Sequence, residues 1–137
     1  MRLDIDIDAA PEAVFETLID PEKLKRYISG EPTVEPEVGG KYDFGWDDGG
    51  PVKVLELVAN EKLSYQWEYE HEPETVVTWT LEGSGGKTRL TLVHSGFAAK
   101  RDMGDYHIGW MHFLNRIKFL TELGDAWQKV EVSSPEY

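Results

Sequence analysis

The chain has 137 residues, 40% of them apolar and 12% aromatic, enough for a single domain with a real core. Its net charge of −12 repels nucleic-acid phosphates and anionic lipid, so neither nucleic acid nor a membrane is expected as a partner. With no cysteine, disulfides, thiolate catalysis and cysteine metal sites are excluded; with no long apolar span and no secretory leader pattern, the expected location is cytoplasmic.

Arg2–Asp8 alternates. Leu3, Ile5 and Ile7 face one way and Asp4, Asp6 and Asp8 the other, as in a half-buried strand whose acidic row discourages edge-to-edge pairing. Alternating carboxylates on a straight strand cannot converge on one metal ion. Pro11 suits the first turn of a helix with Val14, Phe15 and Leu18 on its apolar side. Asp20-Pro21 repeats the device, with Asp20 as N-cap and Leu24, Tyr27 and Ile28 as the next stripe.

Strand patterns follow at Thr33–Val38, Lys41–Trp46, Val52–Ala59, Lys62–Tyr69, Glu74–Glu82 and Thr88–Ser95. Gly39-Gly40, Asp47-Asp48-Gly49-Gly50, Asn60-Glu61 and Gly83-Ser84-Gly85-Gly86 supply the turns. Period-2 parity groups Tyr42, Phe44 and Trp46; Leu63, Tyr65, Trp67 and Tyr69; Val77, Trp79 and Leu81; and Leu90, Leu92 and His94. The last segment, GDYHIGWMHFLNRIKFLTELG from Gly104 to Gly124, is helical. Its Tyr106, Trp110, Phe113, Leu114, Ile117 and Leu120 fall within about 120° of one face, with His107, Asn115, Lys118 and Glu122 opposite. One long helix after a run of strands must lie across their sheet. Ile108, Phe119 and Leu123 make a second apolar line, expected to pack under the N-terminal helices. The domain is expected to span residues 1–128, with 129–137 a loose tail.

Few residues carry chemistry. GSGG at 83–86 joins two alternating strands, so it is a hairpin and not a phosphate loop. His94-Ser95-Gly96 lacks the strand–elbow–helix setting of a nucleophilic serine. His107 and His112 lie five apart on a helix, about 140° from each other, and cannot share a metal; His71 is expected in a solvated turn. Asp102 and Asp105 favour the helix N-terminus. No metal or cofactor is expected. His94 stands out because parity places it on the helix-facing side, as a hydrogen-bonded buried histidine or, alternatively, a catalytic one.

Together the stretches IDAAPEAVFETLIDPEKLKRYI (from Ile7), EVGGKYDFGW (from Glu37), VLELVANEKLSYQWEY (from Val54), TRLTLVHSGF (from Thr88) and GWMHFLNRIKFLTEL (from Gly109) resemble the AHSA1-like branch of the SRPBCC (START/Bet v 1-like) superfamily. The likeness runs from about Ile5 to Leu123. It implies an α+β helix-grip fold: a curved antiparallel sheet of 6–7 strands around a long C-terminal helix, with two short helices after strand 1. It also implies a hydrophobic ligand cavity in many members and enzymatic activity in some. Where the family usually has Trp-Phe after the second short helix, near the cavity mouth, this chain has Tyr27-Ile28.

The leading expectation is non-enzymatic binding of a small apolar or aromatic molecule between sheet and helix. The set expected to line the site is Tyr42, Phe44, Trp46, Tyr65, Trp67, Trp79, Leu92, His94, Trp110, Phe113, Leu114 and Ile117. Two alternatives stand beside it. One is a cyclase- or dehydratase-type enzyme with His94 as general acid or base beside Tyr65. The other is an interaction module, for a chaperone or for a second copy of the chain.

Overall fold

The computed structural model describes residues 1–47, 49–69, 74–97 and 104–124. The elements run β1 (Arg2–Ile7), α1 (Pro11–Ile19), α2 (Pro21–Leu24), β2 (Thr33–Val34), β3 (Tyr42–Asp43), β4 (Gly49–Val58), β5 (Lys62–Tyr69), β6 (Thr75–Ser84), β7 (Lys87–Ser95) and α3 (Gly104–Leu123). Five strands form one antiparallel sheet in the order β1-β7-β6-β5-β4, so the first strand pairs with the last. β2 and β3 form a separate two-stranded ribbon. It meets β4 through a bridge between Lys41 and Lys53 and through hydrogen bonds of Gly39 and Gly40 with Val54.

The ribbon strands are shorter than the alternation at Thr33–Val38 and Lys41–Trp46 suggests, for local reasons. Pro36 cannot donate to a ladder. Asp43 accepts the Gly45 N–H at 2.6 Å, and Gly45 takes φ +81°, so the chain turns away after two paired residues. β4 gains length instead and begins at Gly49. Between β6 and β7 the Gly85-Gly86 pair sits at φ +61° and +79°, the left-handed pair that a two-residue hairpin needs.

Pairing register stacks the apolar parities into one face. Leu63 stands beside Trp79 and Trp79 beside Leu92; Tyr65 stands beside Val77 and Val77 beside His94. α3 covers that face with Trp110, Leu114, Ile117 and Leu120 buried and Tyr106 and Phe113 half-buried, as the helical spacing predicts. Val14, Phe15, Leu18, Leu24, Tyr27 and Ile28 close one end of the layer. Asp20 caps α2 by accepting the Glu22 N–H at 2.9 Å. The Tyr27 hydroxyl donates to the Thr17 carbonyl at 2.7 Å and that of Tyr42 to Leu18, tying the short helices to the core.

The second apolar line of α3 divides. Phe119 packs on the core, but Ile108 and Leu123 stay 50% and 43% exposed and do not pack under α1 and α2. The polar flank has a structural role: Lys118 donates to the Asp6 carbonyl at 2.8 Å and pairs with Glu122 at 2.5 Å. Glu122 in turn accepts the Asp8 N–H at 2.8 Å. Among the described residues no helix is long and apolar enough to cross a membrane. His71, Asp102 and the 129–137 tail lie outside the described residues.

Candidate functional site

The expected site residues do converge on one layer, and they meet ring against ring. Tyr42 stacks on Tyr65 (centroids 4.4 Å apart) and tilts against Phe44 at 5.8 Å. Phe44 reaches Trp46, Trp67 and Phe113 at 5.0, 6.2 and 6.0 Å. Trp67 meets Trp110 edge-on at 5.3 Å, and Trp110 meets Trp79 the same way at 5.7 Å. Such offset and T-shaped contacts match the ring quadrupoles and add roughly 0.5–1.5 kcal/mol per pair beyond area burial. Leu92, Leu114 and Ile117 complete the layer, all buried.

Burial makes every polar tip in this layer find a partner. Trp79 Nε1 donates to the Tyr65 hydroxyl at 3.0 Å, Trp67 Nε1 to the Tyr106 hydroxyl at 3.4 Å, and Trp46 Nε1 to the Ser29 carbonyl. Among the described residues no buried side-chain nitrogen or oxygen lacks a hydrogen bond. Burial also pushes the hydroxyl pKa values of Tyr27, Tyr42 and Tyr65 up, so these groups stay protonated.

His94 is the centre of the network. Trp110 Nε1, which can only donate, lies 3.0 Å from His94 Nδ1, so Nδ1 accepts and the proton sits on Nε2. Nε2 lies 2.8 Å from Thr75 Oγ1, and that hydroxyl donates onward to the Trp67 carbonyl at 3.4 Å. Burial, helped by the ammonium of Met1, lowers the His94 pKa to about 4. A fully buried neutral imidazole with both nitrogens engaged has no position left for a substrate proton. In this arrangement both ring nitrogens of His94 are held within the sheet–helix contact.

Trp46 sits differently. It is half-buried and lies nearly parallel to Phe113, with centroids 6.3 Å apart and planes 13° apart. Glycine backbone flanks its indole. A Cβ on Gly30 would stand 3.3 Å from Trp46 Cδ1, and one on Gly50 3.3 Å from Cε3. A surface depression of about 690 Å³ opens there, lined by Ser29, Gly30, Gly45, Trp46 and Asp47. The layer thus has a fully buried floor and a half-exposed lip of Trp46 and Phe113.

Tyr27 and Ile28, the pair replacing Trp-Phe, are both buried; Tyr27 stands edge-on to Phe113 at 6.0 Å, behind the lip. Three contributors escaped sequence reasoning. Thr75 continues the parity of Val77 and Trp79 backwards by two residues, so its inward position was legible. Phe97, 4.5 Å from the His94 ring, lies just past the strand and carried no periodic signal. Of the glycines beside Trp46, Gly50 read only as part of a turn and Gly30 carried no signal. No group of three His, Asp or Glu side chains able to hold a metal occurs among the described residues.

Residues 8–122 match the family model of the Activator of Hsp90 ATPase homolog 1-like protein. A comparison with curated proteins gives no match. Among solved structures, the Aha1 dimer from Colwellia psychrerythraea superposes with a TM-score of 0.80 at 25% identity, over 91% of this chain and 97% of that one. The AHSA1-like protein of Rhizobium etli gives 0.72 at 28% identity, over 92% and 85%. DynU16, a protein in the dynemicin biosynthetic locus, gives 0.77 at 25% identity over 90% of this chain and 47% of that one. The family match covers most of the chain and the Colwellia protein shares its fold, so this chain belongs to the AHSA1-like family of the SRPBCC superfamily.

Proposed function

We propose that the domain binds a small, flat apolar or aromatic molecule, without turning it over, at the Trp46–Phe113 lip. The carrying observation is the half-exposed, glycine-flanked Trp46 stacked on Phe113 beside an open depression, with a buried aromatic floor behind it. A stacked aromatic pair is already ordered, so a planar ligand adds to the stack with little side-chain entropy lost. The buried members, from Tyr42 and Phe44 through Tyr65, Trp67, Trp79, Leu92, His94, Trp110, Leu114 and Ile117, hold the lip in place. The occurrence of a relative in the dynemicin biosynthetic locus supports a small-molecule role.

The magnitude sets an expectation. A ligand that buries about 160 Å² of apolar surface on the lip gains roughly 4 kcal/mol before the cost of its lost freedom, so binding by the lip alone is millimolar at best. Micromolar binding requires the inner layer to part. Titrating naphthalene-2-carboxylate, a flavonoid and palmitate while following the Trp46 indole N–H by NMR tests the proposal. A saturable shift that Trp46→Ala abolishes supports it; no shift, or a response elsewhere that Trp46→Ala leaves intact, overturns it.

Self-association is a second reading, favoured by the exposed Ile108 and Leu123 on the outer side of α3 and by the dimeric Colwellia relative. The family's description, Activator of Hsp90 ATPase homolog 1-like, supports a chaperone as the alternative partner. Light scattering at 10–100-fold dilution separates a dimer from a monomer, and Ile108→Glu dissociates the dimer if that face is used.

A further inference from the structure

The depression beside Trp46 carries one ionic side chain, and its charge is uncompensated. Among the described residues that line it, only Asp47 is charged. The carboxylates of the neighbouring turns are engaged. Glu31, whose backbone a Cβ on Gly45 would meet at 2.7 Å, holds Lys25 at 3.2 Å, and Lys25 also reaches Glu22 at 3.5 Å. Asp43 accepts the Gly45 N–H and stands 3.8 Å from Lys41. Arg116, on the α3 turn after Phe113, donates to the Tyr27 carbonyl at 3.3 Å and does not line the depression. Asp47 is exposed and has no hydrogen bond or ion pair among the described residues.

Trp46 adds an electron-rich surface beside that carboxylate. Phe44, Trp67 and Phe113 pack against its indole at 5.0, 6.1 and 6.3 Å, and what they leave uncovered opens onto the depression. Indole is the side-chain ring that attracts a cation most strongly. Two donors that an anionic ligand would need here are already engaged: the Trp46 N–H by the Ser29 carbonyl, and the Gly45 N–H by Asp43. The chain's charge of −12 adds a long-range field of the same sign.

We propose, resting on the aromatic-lip reading above, that the lip selects cationic aromatic ligands: a flat ring with an ammonium or similar cation one or two bonds away. The ring lies against Trp46 and Phe113, and the cation lies beside Asp47. Stacking is blind to the charge, so an anionic aromatic still reaches the lip, but more weakly. Cation–π attraction and one exposed ion pair act together, and a gap of about tenfold between a cation and an anion on the same ring is the expected scale.

Three ligands built on one ring isolate the charge: 2-naphthylmethylammonium, 2-naphthylmethanol and naphthalene-2-carboxylate. Each is titrated against the full chain while the Trp46 indole N–H is followed by NMR. At about 20 mM salt the ammonium binds about tenfold tighter than the carboxylate and the alcohol lies between; the gap narrows at about 500 mM salt because the depression is open. Asp47→Asn, at an exposed and unpaired position, keeps the fold and brings ammonium and carboxylate within about threefold of each other. Asp47→Lys reverses their order. Glu82→Gln removes a carboxylate at the other end of β6 from the Trp67-paired Thr75 and keeps the gap, which separates Asp47 from net charge. Equal affinity for ammonium and carboxylate, or a gap that survives both Asp47 variants, overturns the proposal, while saturable binding of the alcohol leaves the aromatic lip standing. No saturable binding by any of the three overturns both.

Discussion

Acidification from pH 7.5 to pH 5 removes stability through His94. The unfolded imidazole titrates near 6.5, whereas burial holds the folded one to about 4. Below pH 6.5 the unfolded chain takes up a proton that the folded chain refuses, so stability from this residue is complete above 6.5 and declines as pH falls toward 4. At pH 5 the unfolded histidine is almost fully protonated and the folded one almost not. The difference is about 1.5 pKa units of work, or roughly 2 kcal/mol, approaching about 3 kcal/mol at pH 4. The network explains why folding resists the proton: it would have to go on Nδ1, where the Trp110 N–H already points. Urea unfolding at pH 7.5 and pH 5 measures the loss, and the same pair of curves for His94→Gln removes the contribution of the 26 acidic side chains. The wild type should lose roughly 2 kcal/mol more than the variant. A His94 ring resonance that titrates near 6.5, or equal losses in both proteins, refutes the reasoning.

Other consequences follow from single contacts. Thr75→Val keeps the shape but strands the buried His94 Nε2–H, costing about 1–3 kcal/mol and lowering Tm by roughly 3–10 °C in a thermal melt. Gly30→Ala meets the Phe44 carbonyl oxygen at 2.4 Å with φ at +120°, so calorimetry should show a loss of about 2–4 kcal/mol and a weakened Trp46 environment. Asn60, at φ +64° in the β4–β5 turn, is the one described non-glycine residue with positive φ; Asn60→Gly should be neutral to stabilising by up to about 1 kcal/mol in urea unfolding.

Much of this architecture was legible because its signals are periodic. The inward parities of β5, β6 and β7, the apolar face of α3 and the Asp20 cap all rest on spacing and local turn chemistry, which survive into the folded state unchanged. What was not legible depends on pairing across the chain. The Trp110–His94–Thr75 relay needs α3, β7 and β6 to arrive at one point with particular rotamers, and no local pattern encodes that. The division of seven strands into a five-stranded sheet and a ribbon turns on where Asp43 and Gly45 bend the chain. The polar flank of α3 was legible only as the side opposite the apolar face, yet Lys118 and Glu122 reach backbone groups of Asp6 and Asp8 at the β1 edge. The site itself was named as a layer; that only Trp46 and Phe113 form its lip followed from burial, which parity does not grade.

Intermolecular NOEs from bound naphthalene-2-carboxylate test the central proposal most directly. Contacts from the naphthalene protons to the rings of Trp46 and Phe113, lost in Trp46→Ala, are the predicted result. Contacts only to Leu3, Ile5 or Met111, or none with the ligand in millimolar excess, would contradict it.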